Sequence, residues 1–394
     1  MKDIFVNGYS DGWLRQGFCW VYPNEVTKGS ARPGSEVRIR AKDGTVLGRG
    51  LADQGWIAVR VYRRDDGPLD DEWLWQTLDR AATLRDQVVD PGTTGYRLVH
   101  AENDGLPGLR IDWWDHFAVI AIDSPAVGRL LPGVLAWLED RRSPRGVYLC
   151  YRPDPRDTKR KGTLDPAPGL LTGRASTGPV VVRERGMSLL CYPAEGPDVG
   201  VYADMREVRA WLEPHWGGKA VLNAFAYTGA FSVAAALGGA SDIVTVDLSS
   251  RYLDRAEANF TANDLDPSAY EFLAMDVFKA FDRLRRTGQT FDLVVLDPPS
   301  FSHSKAGVWS AKRDWPRLVS AAARLLEPGG WIVAASNQGE LSPRDFRGHV
   351  ARGLKKVSKR GQEIFWGGQG PDFPAATWFP EGRYLKVGVW RVVS

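Results

Sequence analysis

The chain has 394 residues, 43% of them hydrophobic, and a formal net charge of only +3. That length suggests two or three domains, and the apolar content excludes wholesale disorder. No run approaches the roughly 18 apolar residues of a membrane span, residues 1–5 lack the basic-then-apolar layout of a secretory leader, and three dispersed cysteines, Cys19, Cys150 and Cys191, spell neither a disulfide framework nor a zinc knuckle. The expected setting is the cytoplasm, with no membrane and no metal.

Residues 1–70 read as a small β domain. Residues 18–22 form a short buried run, residues 34–39 alternate apolar and polar, and Asp43-Gly44 is a strong hairpin turn. Residues 57–62 make a further strand. Arg38, Arg40, Lys42, Arg49, Arg60, Arg63 and Arg64 make the module cationic. Two readings stand: solvated outer faces of strands, or side chains such as Arg38 and Arg60 placed on RNA phosphates. The layout resembles a PUA domain, an RNA-binding pseudo-barrel.

Residues 71–192 read as a central α+β domain. A helix is expected over 72–88, with Trp75, Leu78, Ala82 and Leu84 as apolar positions, ended by Pro91-Gly92. Asn103-Asp104-Gly105 and Pro107-Gly108 then mark turns between strands, and Glu102, Asp104 and Asp112 take turn and strand-end roles. A strand over 117–122 and a helix over 130–138 follow. Arg141, Arg142, Arg145, Arg152, Arg156, Lys159, Arg160 and Lys161 form a basic run, either a solvated loop or an RNA backbone track. Residues 180–184 and 187–191 make a hairpin into the last domain.

Residues 193–394 are organised around Val221-Leu222-Asn223-Ala224-Phe225-Ala226-Tyr227-Thr228-Gly229-Ala230-Phe231-Ser232. This reads as a buried strand, a tight turn at Thr228-Gly229 and the start of a helix. In a parallel α/β sheet such a turn is the ligand-binding end. There is no G-x-G-x-x-G, which argues against a nicotinamide enzyme. Asp247 ends the next apolar strand, where a carboxylate can accept from a ribose diol. Asp276 follows a third short run at 270–273, and residues 293–296 lead into Asp297-Pro298-Pro299-Ser300-Phe301. The ordered set resembles a class I S-adenosylmethionine-dependent methyltransferase: an α/β chain with a C-terminal Rossmann-like domain behind the β and α+β modules.

Further markers are residues 96–98 through 103–108, residues 200–206, and Pro380-Glu381-Gly382-Arg383-Tyr384-Leu385-Lys386. With them the chain resembles the bacterial 23S rRNA methyltransferase family that carries an N-terminal PUA domain. The resemblance implies S-adenosylmethionine as cofactor, and 23S rRNA or a large-subunit precursor as partner. It implies a cofactor pocket of Asp204, Asn223, Phe225, Tyr227, Thr228, Gly229, Asp247, Leu248, Ser249, Asp276, Val277 and Asp297.

Two branches of that family compete. The cytosine-C5 branch has a cysteine after its fifth strand, whose thiolate adds at carbon 6 and is later expelled. Here the fifth strand is followed by Ser336-Asn337-Gln338-Gly339, and no cysteine follows Cys191. Pro298-Pro299-Ser300-Phe301-Ser302-His303-Ser304-Lys305 and Ser336-Asn337 resemble the guanine-N7 branch, whose acceptor already owns a lone pair. The expected mechanism is direct transfer, with Asp297 and Asn337 as catalytic residues and Pro298, Pro299, Phe301 and Lys305 on the substrate. The N-terminal layout follows the cytosine-C5 branch. The rivals are cytosine-C5 methylation with a nucleophile such as Cys191, and a catalytically silent protein that binds cofactor and rRNA.

Overall fold

A computed structural model describes residues 1–152, 166–196, 199–299, 301–304 and 307–394, with the backbone alone for 301–304 and 307–312. The chain divides into two compact units. The first is Met1–Val182 with Cys191–Val199 and Pro371–Gly382; the second is Arg183–Leu190 with Gly200–Gly370 and Arg383–Ser394.

Period-two alternation builds the start of the first unit. In the strand Glu36–Arg40, Val37 and Ile39 are buried while the intervening polar residues are partly exposed. It lies in a six-stranded sheet with the order Trp20–Val21, Val59–Arg63, Val46–Ala52, Glu36–Arg40, Lys2–Val6, Val26–Lys28. A helix that the sequence does not announce, Gly8–Arg15, follows Lys2–Val6; Asn7 caps it by accepting from the Ser10 amide at 2.9 Å.

A five-stranded sheet follows, ordered Gly169–Gly173, Gly146–Tyr151, Phe117–Ile122, Leu109–Trp114, Gly95–His100. Every residue of Phe117–Ile122 is buried. The helix Leu131–Arg142 makes the crossover to its parallel neighbour Gly146–Tyr151. Helix Asp71–Val88 is capped by Asp70, which accepts from the Trp73 amide at 3.0 Å. Its buried stripe runs through Leu74, Leu78, Ala81 and Ala82 to Arg85. Arg85 belongs in that stripe because both Asp104 carboxylate oxygens accept from it at 2.8 Å. It also donates to the Asp372 carbonyl at 2.9 Å, and the Asp372 carboxylate accepts from the Arg97 amide at 3.1 Å. Residues 371–382 thus form a strap held by the first unit.

The second unit is a seven-stranded sheet. Its strands are β1 (Ala220–Ala224), β2 (Asp242–Asp247), β3 (Glu271–Ala274), β4 (Phe291–Leu296), β5 (Leu326–Ser336), β6 (Arg360–Gly367) and β7 (Lys386–Val393), in the order β3-β2-β1-β4-β5-β7-β6. β1 to β5 are parallel; β7 runs antiparallel to both β5 and β6. The helices are α1 (Arg206–Leu212), α2 (Ala230–Leu237), α3 (Ser250–Thr261), α4 (Val277–Arg286), α5 (Ala311–Ala322) and α6 (Pro343–Lys355). Two apolar clusters, one around Leu222, Val244 and Val294 and one around Val221, Ile243 and Val295, account for the continuous apolar runs of the central strands. Strand order reverses between β1 and β4, which opens a crevice beyond their carboxyl ends.

Candidate active site

The loop between β1 and α2 is strained. Phe225 and Tyr227 have φ of 60° and 52°, and Gly229 has φ of 74°. Each non-glycine residue in that region costs about 1–3 kcal/mol, so the surroundings must hold it. The Tyr227 amide donates to Asp247 Oδ2 at 2.9 Å, and the Ala226 amide to the Val246 carbonyl at 2.9 Å. Thr228 Oγ1 donates to the Gly200 carbonyl at 2.6 Å, while Tyr227 Oη accepts from the Gly200 amide at 2.9 Å. Asn259 Nδ2, from α3, donates to the Thr228 carbonyl at 2.8 Å. Gly229 is required by sterics as well as φ: a Cβ there would lie 2.8 Å from that of Ala256. Beneath the loop, Asn223 Nδ2 donates to Ser232 Oγ at 2.9 Å, and Thr245 Oγ1 is 2.8 Å from the same hydroxyl.

The ends of β2 and β3 present carboxylates held by backbone amides. Asp247 Oδ1 accepts from the Ser249 amide at 2.9 Å, and burial raises its carboxyl above the usual value. Ser249 caps α3, and Asp276 caps α4 by accepting from the Phe278 and Lys279 amides at 3.1 and 3.2 Å.

A second acidic group lies at the end of β4. Burial pushes the Asp297 carboxyl up to about 7; the neighbouring Asp204 charge adds to this and Arg209 opposes it. Tyr384 Oη donates to Asp204 Oδ2 at 2.6 Å. The buried guanidinium of Arg209 is fixed by both Glu184 oxygens at 2.6 Å.

These groups surround one cavity of about 1000 Å³ in the second unit. Its wall contains Asp204, Asn223, Phe225, Tyr227, Thr228, Asp247, Leu248, Ser249, Asp276, Val277, Asp297, Pro298, Pro299 and Asn337. Gly229 forms the turn without lining it. Tyr202, Arg209, Tyr252, Phe278, Arg313, Asp314, Arg317 and Leu385 stand in the same wall without having been expected there from sequence. For Arg313 and Arg317 a signal existed, two cations one helical turn apart after the Pro-Pro loop; Tyr202 and Leu385 lay within the family markers 200–206 and 380–386 without being assigned to the site. Ser300 and Lys305, like Arg156, Lys159, Arg160 and Lys161 of the basic run, lie outside the described residues, as does the Phe301 side chain.

The two arginines expected on RNA are placed differently. Arg38 is paired with Asp66 at 2.7 Å. Arg60 is 4% exposed, with Asp53 at 2.9 Å, Glu102 at 3.6 Å and Asp123 at 3.7 Å. The structure does not bring Arg60 to the surface. The thiols of Cys19, Cys150 and Cys191 are all buried, burial raises each, and none borders the cavity. Among the described residues no helix is long and apolar enough to cross a membrane, and no group of three or more His, Cys, Asp or Glu could hold a metal ion.

S-adenosylmethionine fits this wall by its chemistry. Asp247, at the carboxyl end of β2 beside β1, is a carboxylate of the kind that can accept from a ribose diol. Leu248, 59% exposed, offers an apolar face to a flat ring. Asp204, Asp247, Asp276, Asp297 and Asp314 give an acidic lining suited to a sulfonium and an ammonium.

Comparison with known proteins agrees. Residues 169–360 match a family model described as S-adenosylmethionine-dependent methyltransferase, and residues 4–64 one described as a PUA-like domain. A methyltransferase solved in complex with SAH superposes with a TM-score of 0.89, covering 99% of this chain and 100% of the other at 24% identity, a likeness of fold. The ribosomal RNA large subunit methyltransferase I of Shewanella frigidimarina is 34% identical over 379 residues, 95% of each chain. That of Aeromonas salmonicida is 35% identical over 386 residues, 97% of this chain and 96% of the relative. Fold and cavity define a class I methyltransferase whose cofactor is S-adenosylmethionine. The chain belongs to the ribosomal RNA large subunit methyltransferase I family.

Proposed function

We propose that the chain methylates a base of 23S rRNA by direct transfer, with guanine N7 the favoured acceptor. The relatives' names support the rRNA class, and the PUA-like match supports an RNA substrate. One observation carries the mechanism: Asn337 stands on the cavity wall after β5, and no cysteine borders that wall. A buried neutral thiol is a poor nucleophile, and Cys191 is 0% exposed.

S-adenosylmethionine supplies the electrophilic methyl group. The protein's part is placement. Asp247 accepts from the ribose hydroxyls. Asp297 and Asp204 lie where positive charge is stabilised. Asn337 offers an amide to a base edge, and Pro298 and Pro299 provide a rigid apolar edge. Guanine N7 needs no proton removed and no covalent activation, so alignment supplies most of the rate.

The test is methylation with methyl-labelled cofactor of rRNA from cells lacking the gene, then digestion and identification of the labelled nucleoside by mass. 7-Methylguanosine is the expected product. 5-Methylcytidine would overturn direct transfer and revive a recruited thiol. Binding of cofactor and rRNA without transfer, on naked RNA and on ribosomal particles alike, would leave a binding protein.

A further inference from the structure

The cavity wall is acidic except at three arginines, Arg209, Arg313 and Arg317. Arg209 is consumed by Glu184. The other two stand one turn apart on α5, so their side chains share a face about 5–6 Å apart at Cβ. Both are exposed. Arg317 forms no ion pair among the described residues; its guanidinium lies 4.0 Å from the centroid of the Phe278 ring. Phe278 itself lines the cavity, one residue beyond Val277. A guanidinium stacked on an aromatic face keeps its in-plane N–H groups for a second partner. Arg313 pairs with its chain neighbour Asp314 at 3.1 Å, and its side chain is 69% exposed. The contact is bidentate, Nε and Nη2 donating to the two Asp314 oxygens, so Arg313 meets a phosphate by exchanging that carboxylate for it, an exchange open to a solvent-facing side chain.

We propose that Arg313 and Arg317 form a phosphate-binding pair at the mouth of the cavity, taking the RNA backbone beside the nucleotide to be methylated. The proposal rests on the rRNA reading above and deepens it by naming the groups that meet the backbone. A polyanion meets carboxylates elsewhere on this wall, so the pair is its point of entry. Planar guanidinium groups suit phosphate oxygens, which they engage with two parallel hydrogen bonds. Stacking on Phe278 pre-orients Arg317, which lowers the entropy lost on binding. An anionic group of the cofactor is the competing occupant, and the test separates the two.

The experiment compares the full-length protein with Arg313→Gln, Arg317→Gln, the double variant and Arg317→Lys. SAH affinity is measured by calorimetry, 23S rRNA affinity over a salt series, and methyl transfer under varied RNA. The double variant should raise the KM for RNA about tenfold, as expected when charge-assisted hydrogen bonds at the protein surface are removed. Its log–log salt slope should become shallower by about 0.7 for each phosphate no longer neutralised. The loss should fall more on the KM for RNA than on kcat, SAH affinity should not fall with it, and Arg317→Lys should keep the wild-type slope. Unchanged RNA affinity and slope would overturn the pair as a phosphate site. Weakened SAH binding with an intact salt slope would overturn it in favour of the cofactor. Wild-type protein that neither binds nor labels rRNA would instead sink the substrate reading, and the pair's assignment with it.

Discussion

At the scale of single residues, Asp297 has the most testable chemistry. Its folded carboxyl value of about 7 lies above the ordinary 3.8. Between those limits the folded protein keeps a proton that the unfolded chain has released. Stability therefore falls as pH rises through that window and levels off above it. Asp297→Asn cannot titrate, so its unfolding midpoint should gain on the wild type from about pH 4 to about pH 7. Thermal unfolding across pH checks this; parallel profiles for the two proteins would count against it. Sequence placed Asp297 because a carboxylate at a strand end before two prolines is a local signal. It misplaced Arg60 because the Val59-Arg60-Val61 alternation assigns that side chain to the outer face. The partners that bury it, Asp53, Glu102 and Asp123, come from three separate stretches. No local pattern announces such a meeting.

At the scale of elements, α3 does more than cover the sheet. Its Asn259, 0% exposed, donates to the Thr228 carbonyl in the strained loop and accepts from the Leu190 amide at 2.8 Å. Asn263, one turn on, accepts from the Ser188 amide at 2.8 Å and donates to its carbonyl at 2.7 Å. One helix face therefore fixes both the cofactor loop and the segment 188–190. Asn259→Ala should cost roughly 2–4 kcal/mol, because a buried carbonyl and a part-buried amide lose their partners. Urea unfolding measures the stability, and SAH calorimetry should show weaker binding as the loop relaxes. A loss below about 1 kcal/mol would show that water replaces both bonds. The strand–turn–helix units were legible because each carries its own periodicity and turn residues. Helix Gly8–Arg15 was not, since two glycines and a serine in eight residues dilute any apolar stripe. The placement of β7 between β5 and β6 was not legible either, because an antiparallel insertion leaves no mark on neighbouring sequence.

At the scale of the whole molecule, the strap 371–382 matters most. The chain leaves β6, contributes these residues to the first unit, and returns for β7. Arg85, 0% exposed, holds the strap through the Asp372 carbonyl while neutralising Asp104. Arg85→Leu should destabilise the first unit by about 3–5 kcal/mol, since the buried Asp104 charge loses its ion-pair partner and keeps only the His100 amide. Scanning calorimetry reads the outcome: a lower transition for the first unit is expected, and an unchanged one would count against the role given to Arg85.

The late position of β7 in an interior slot of the sheet also orders events in time. Synthesis delivers β1 to β6 before residues 386–393 exist. Until then, β5 and β6 each expose an edge with unpaired backbone groups, which are templates for wrong partners. Leu385, which stands in the wall, and Tyr384, which donates to Asp204, arrive in the same stretch. A chain synthesised only as far as β6 therefore has its cofactor pocket unfinished, and its sheet closes only once residues 384–393 have been added.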